Sequence, residues 1–166
     1  MATIALAPTT RGLSNPARHE FMTQVTIDFA TAASTKGTAL AAGDIIQAIS
    51  VPAGHQCITA GWEVLTAHTG TSTDTALDLG FTGGDPDMYV DAFDYDAASV
   101  GDFAILSGAA APVQVGSTAD TLDILIQAQT GTTTGGKLRV FAKLMDCSTL
   151  GEKDGSPGEV VRDELA

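Results

Sequence analysis

Strict two-residue alternation of apolar and polar side chains, cut by turns rich in Gly, Thr, Ser and Asp, constrains this chain more than any other feature. In residues 56–66, Ile58, Ala60, Trp62 and Val64 alternate with Cys57, Thr59, Gly61 and Glu63. Leu122, Ile124, Ile126 and Ala128 repeat the pattern in residues 121–129. In residues 137–146, Leu138, Val140, Ala142 and Leu144 alternate with Lys137, Arg139 and Lys143. Successive side chains of a strand point to opposite sides of the sheet, so a period of two predicts strands with one buried face. Nothing in the chain repeats at a fixed spacing or keeps a helical period for more than a few turns.

Residues 21–30 predict a first strand with Phe21, Thr23, Val25, Ile27 and Phe29 on one face, followed by a connection of small polar residues over 32–43. Residues 44–51 predict a second strand. Pro52-Ala53-Gly54 is a turn, because Pro52 fixes φ and Gly54 relaxes the exit. Strand, turn and the Trp62 strand read as a hairpin, extended after a 69–74 loop by residues 76–81. There Leu77, Leu79 and Phe81 point inward, and Asp78 and Gly80 outward. Residues 83–87 break that strand with two glycines and Pro86. Residues 103–106 and 112–115 are short strands, the latter an edge because it starts with Pro112. Residues 121–129 and 137–146 read as a second hairpin over a Gly/Thr loop.

Many short strands without crossover helices predict an all-β protein: an antiparallel β-sandwich or jelly roll over residues 21–146. An N-terminal arm (1–20) and a C-terminal tail (147–166) extend from it. Aromatics are only 5% of the chain, so each one inside counts. The candidate core anchors are Phe29, Trp62, Leu79, Phe81, Ile124 and Val140.

A net charge of −12 argues against nucleic-acid binding, which rests on Lys and Arg clusters. Lys137, Arg139 and Lys143 are close together but alternate along one strand, as on a solvated outer face. No apolar run reaches the ~18 residues that span a bilayer, and a soluble cytoplasmic product is expected, with no membrane partner. Cys57 and Cys147 make no disulfide framework. Asp85, Asp87, Asp91, Asp94, Asp96 and Asp102 could hold Ca²⁺ but lack EF-hand spacing, and Asp also builds turns. His19, His55 and His68 are scattered, with His55 and His68 expected in exposed loops. No nucleophile elbow, phosphate loop or glycosidase pair stands out, so no enzyme activity, metal or cofactor is expected.

The segments Ala42-Gly-Asp-Ile-Ile46, Val51-Pro-Ala-Gly54, Gly61-Trp-Glu-Val-Leu-Thr-Ala67, Leu77-Asp-Leu-Gly80 and Gly83-Gly-Asp-Pro-Asp-Met-Tyr-Val-Asp91 resemble small structural proteins of tailed-bacteriophage heads. The resemblance implies a jelly-roll decoration (cement) protein, on the capsid surface of the virion and made in the host cytoplasm. Its partners would be the major capsid protein and further copies of itself, often as a trimer. Leu6, Arg11 and Arg18 of the arm, with Tyr89 and Tyr95, are the candidate contacts. Two alternatives remain open: another virion component at a single vertex, such as a head–tail completion or tail protein, and a carbohydrate-binding jelly roll using Tyr89 and Tyr95.

Overall fold

The alternating segments form two sheets that face each other across their apolar residues. The computed structural model describes residues 3–5, 20–105, 113–114 and 118–147. Its elements are β1 (Thr3–Ala5), β2 (Glu20–Asp28), α1 (Phe29–Lys36), β3 (Ile45–Val51), β4 (His55–Gly70), β5 (Ala76–Gly80), β6 (Val90–Asp94), β7 (Phe103–Ile105), β8 (Val113–Gln114), β9 (Asp120–Ala128) and β10 (Thr133–Asp146). One sheet runs β1-β3-β9-β5-β6; the other runs β2-β10-β4-β7, with β8 also on β4. Without β1 and β8, eight antiparallel strands remain, four per sheet. Every step between strands consecutive in this eight crosses to the opposite sheet, except β5 to β6. This is the double-sheet jelly roll.

Both expected hairpins are therefore corrected. β3 and β4 lie in opposite sheets, as do β9 and β10, and β5 joins β9 rather than β4. An arch and a hairpin point the same residues into the core, so alternation alone does not distinguish them. The pairing is decided by competition for edges. β10 docks between β2 and β4, while β9 docks between β3 and β5.

The first strand also ends sooner than expected. Asp28 Oδ1 accepts hydrogen bonds from the N–H groups of Ala30 (2.9 Å) and Thr31 (3.3 Å), capping α1. Gly37, at φ 81°, closes the helix by donating to the carbonyls of Ala33 and Ser34. Phe29 is thus buried from the first turn of a helix, not from a strand. In β4, Lys143 pairs with Thr59 but Leu144 pairs with Cys57. The bulge at Ile58 turns Cys57 into the core and leaves Ile58 half-buried, the reverse of the simple alternation. Part of the supposed irregular arm, Thr3–Ala5, is a strand parallel to β3.

All six core anchors, Phe29, Trp62, Leu79, Phe81, Ile124 and Val140, are buried. Trp62 sits with its ring edge-on to Phe93, centroids 5.6 Å apart.

Candidate interaction face

β10 supplies the middle of the second sheet, and its inward Leu138, Val140, Ala142 and Leu144 force the intervening residues outward. The register then assembles an outer face in rows. Met22, Lys143 and Thr59 form one row; Gln24, Phe141, Gly61 and Ile105 the next; Thr26, Arg139, Glu63 and Phe103 the third. Asp28, Lys137 and Thr66 follow.

Each cation on this face has a carboxylate on a neighbouring strand. Lys137 Nζ is 3.0 Å from Asp28 Oδ2, Arg139 Nη1 is 3.0 Å from Glu63 Oε2, and Lys143 pairs with Glu20. These pairs are partly exposed, where an ion pair contributes roughly 0–1 kcal/mol. Their effect is to leave the face without net charge among the described residues. The Lys137 ammonium holds the Asp28 carboxyl below its ordinary pKa; partial burial works against this, and the Thr31 and Ala30 N–H groups assist it.

An apolar stripe crosses the same face. Phe141 stacks on Phe103, with centroids 5.4 Å apart and planes inclined by 19°. Gly61, between them on β4, permits this contact. A Cβ there would run into the Ala104 carbonyl and stand 2.9 Å from Ile105 Cα and 3.0 Å from Phe141 Cζ. Met22 (63% exposed), Phe103 (56%), Ile105 (43%) and Val100 (67%) are the large hydrophobic side chains left exposed among the described residues. Three of them lie on this face, and Val100 lies in the turn entering β7. The alternation of β10 predicts Lys137, Arg139 and Lys143 as its outward residues, and Phe141 joins them. Phe141, out of phase with Leu138, Val140 and Ala142, was the available signal.

The other sheet is covered on its outer side by the 81–89 excursion. A Cβ on Gly80 would meet the Asp85 carbonyl and stand 2.6 Å from the Pro86 carbonyl carbon, so the loop backbone rests on bare strand. Asp78, expected on the outward side of its strand, and Asp123 are only 2% and 5% exposed. Ala92 N–H donates to Asp78 Oδ1 (2.8 Å), and the Thr82 hydroxyl donates to Asp123 Oδ2. Burial pushes both carboxyls above the ordinary range.

The candidate contact tyrosines are corrected. Tyr89 and Tyr95 are fully buried. Tyr89 donates its hydroxyl to the Cys57 carbonyl (3.1 Å), and Tyr95 to the Thr66 carbonyl (3.2 Å). Each spans from the sheet-one side to β4, where the ring is worth more as core than as surface, once its hydroxyl finds a backbone acceptor. Neither can serve as an exposed platform for a sugar or a neighbouring subunit. Leu6, Arg11 and Arg18 lie outside the described residues. His55 and His68 are not loop residues but sit half-buried on the long β4. His55 packs edge-on to Phe21, and His68 Nε2 is 3.0 Å from Thr133 Oγ1.

Three carboxylates of the acidic segment accept hydrogen bonds from backbone N–H groups. Asp94 accepts from Ala97 N–H (3.2 Å), Asp96 from Thr75 N–H, and Asp102 from Ser99 N–H (2.8 Å). Among the described residues no three His, Cys, Asp or Glu side chains are placed to hold a metal ion. Cys57 and Cys147 are both free thiols, and burial raises the Cys57 pKa to about 11.

No protein-family model matches the chain, and no curated protein sequence matches it. Solved structures do. A chain titled "Capsid of Ralstonia phage GP4" superposes with a TM-score of 0.56 at 18% identity, over 88% of this chain and 99% of that one. A chain of the cyanophage Pam1 capsid asymmetric unit gives a TM-score of 0.54 at 14% identity, over 84% of this chain and 94% of the other. The jelly-roll sandwich is common to them.

Proposed function

We propose that this chain is a structural component of a phage virion, and within it a decoration (cement) protein that binds the outside of an icosahedral capsid as an oligomer. The observation that carries the reading is the fold likeness to chains from two phage capsids, which extends over nearly the whole length of each. The sequence resemblance over residues 42–91 points the same way. A protein of this kind works by burying surface across subunit boundaries and performs no reaction. Its contact partners are the major capsid protein and further copies of itself, in a trimer on this reading, and its place is the outer surface of the virion after synthesis in the host. Leu6, Arg11 and Arg18 of the arm are proposed to reach the shell.

The test is occupancy on isolated shells, read by electron microscopy and quantitative gel analysis. The full chain is expected to coat every facet at many copies per particle. Removal of residues 1–20 is expected to abolish attachment while the circular-dichroism spectrum of the sandwich persists. A few copies confined to one vertex would instead identify a head–tail component. Unchanged occupancy without the arm would refute the role given to it.

A further inference from the structure

We propose that copies of this chain associate with one another through the outer face of the β2-β10-β4-β7 sheet, each covering the Met22–Phe141–Ile105–Phe103 stripe of another. The inference rests on the oligomeric part of the reading above but not on its trimer: the same face on both copies makes a two-fold contact, which closes as a dimer.

Charge selects a second copy as the occupant. The chain carries a net charge of −12, so two copies repel wherever their acidic surfaces meet. On this face Glu20, Asp28 and Glu63 stand against Lys143, Lys137 and Arg139, and the sum is zero. Among the described residues the acidic excess lies elsewhere. Asp94 ends β6, Asp120 begins β9, Asp74 and Asp96 lie beside β5 and β6, and Asp85 and Asp87 sit on the loop over that sheet. Like charges forced together across an interface oppose binding by several kcal/mol. A contact centred on this face spares identical acidic molecules most of that cost. Asp102 and Asp146 stand at its rim, at the entry to β7 and the end of β10.

The stripe supplies the attraction. It runs diagonally from β2 through β10 to the β7 edge, with Gly61 as the gap that lets Phe141 reach Phe103. An aromatic and aliphatic centre ringed by polar residues is the usual anatomy of a specific interface. Size sets a condition. Four strands about 4.8 Å apart, with nine β2–β10 pairs rising about 3.3 Å each, outline a face of at most about 600 Å² in plan, and less where β7 is only three residues long. Two such faces together give at most about 1,200 Å², so a specific contact of roughly 1,000 Å² uses nearly the whole of each.

The experiment is sedimentation equilibrium of the full chain over a concentration series, for the wild type, a Phe103→Ser/Ile105→Thr double variant and Met22→Glu. The wild type is expected to assemble, and each variant to weaken assembly by about tenfold or more, as truncation at an interface centre does. Near-UV circular dichroism from buried Trp62 confirms that each variant is folded. Should the double variant unfold, Met22→Glu alone decides, because Met22 is exposed and carries no core packing. Assembly unchanged in folded variants overturns the proposal while leaving the oligomeric reading intact. A wild type that stays monomeric at every concentration overturns both. A monomer whose binding to isolated shells is lost in the variants assigns the face to the shell and overturns the proposal.

Discussion

Small residues at single positions decide how closely the sheets of this protein approach their neighbours. Gly61 and Gly80 each lie where another backbone, Ala104–Ile105 or Asp85–Pro86, runs across the strand within the reach of a Cβ. Both strands would tolerate almost any residue by propensity; the crossing backbone excludes all but glycine. Gly61→Ala is expected to push β7 away, loosen the Phe103–Phe141 stack, and lower stability by about 1–3 kcal/mol, in the range of overpacking substitutions. The denaturation midpoint measures the loss, and an unchanged midpoint would mean that β7 yields freely. The tyrosines carry the complementary lesson. Named as candidate contacts, Tyr89 and Tyr95 instead find carbonyl acceptors on β4 and are drawn inside.

The junction between β2 and α1 illustrates what an element boundary depends on. Asp28 does two jobs, capping α1 through one oxygen and pairing with Lys137 of β10 through the other. The pair lies near the surface and adds little. The cap is the larger contribution, because it satisfies N–H groups that a helix start leaves without partners. Asp28→Ala is expected to lower stability by about 0.5–2 kcal/mol, while Lys137→Met should lower it far less. Equal losses in urea titrations of the two variants would contradict that ranking. The helix was legible in principle from Asp28 and from Lys36-Gly37 at its other end. The Phe21–Phe29 alternation concealed it, since Phe29 is buried whether it follows a strand or begins a helix.

At the scale of the whole molecule, buried and surface carboxylates respond to pH in opposite ways. Asp78 and Asp123 have pKa values raised by burial in the folded state. A carboxyl raised on folding favours the native state increasingly as pH falls from neutrality towards the ordinary value of about 3.9, where the unfolded chain also takes up the proton. Asp28, lowered mainly by Lys137, acts in the opposite sense: its contribution is present above the ordinary value and is lost as pH falls through its folded value. Mild acidification also reduces the self-repulsion of a chain at −12. Stability is therefore expected to rise as pH falls from 7 towards 5, and to decline only in stronger acid. Asp123→Asn should flatten that rise, because an amide stays neutral throughout. Melting temperatures across the range test it; a wild type that weakens steadily below pH 7 would be inconsistent with the buried carboxyls being raised.

The all-β class, the positions of most strands and the inward set that includes Trp62, Leu79, Ile124 and Val140 are legible in the amino-acid order. They are legible because alternation is a local property of the extended backbone, written in neighbouring residues. Tertiary structure alone decided that β3 and β4, and β9 and β10, arch between sheets rather than pair. It alone decided that Tyr89, Tyr95, Asp78 and Asp123 are covered, and that Phe141 meets Phe103 over Gly61. Those outcomes turn on which distant edge or loop arrives at a given surface, and residues far apart in the chain set them jointly.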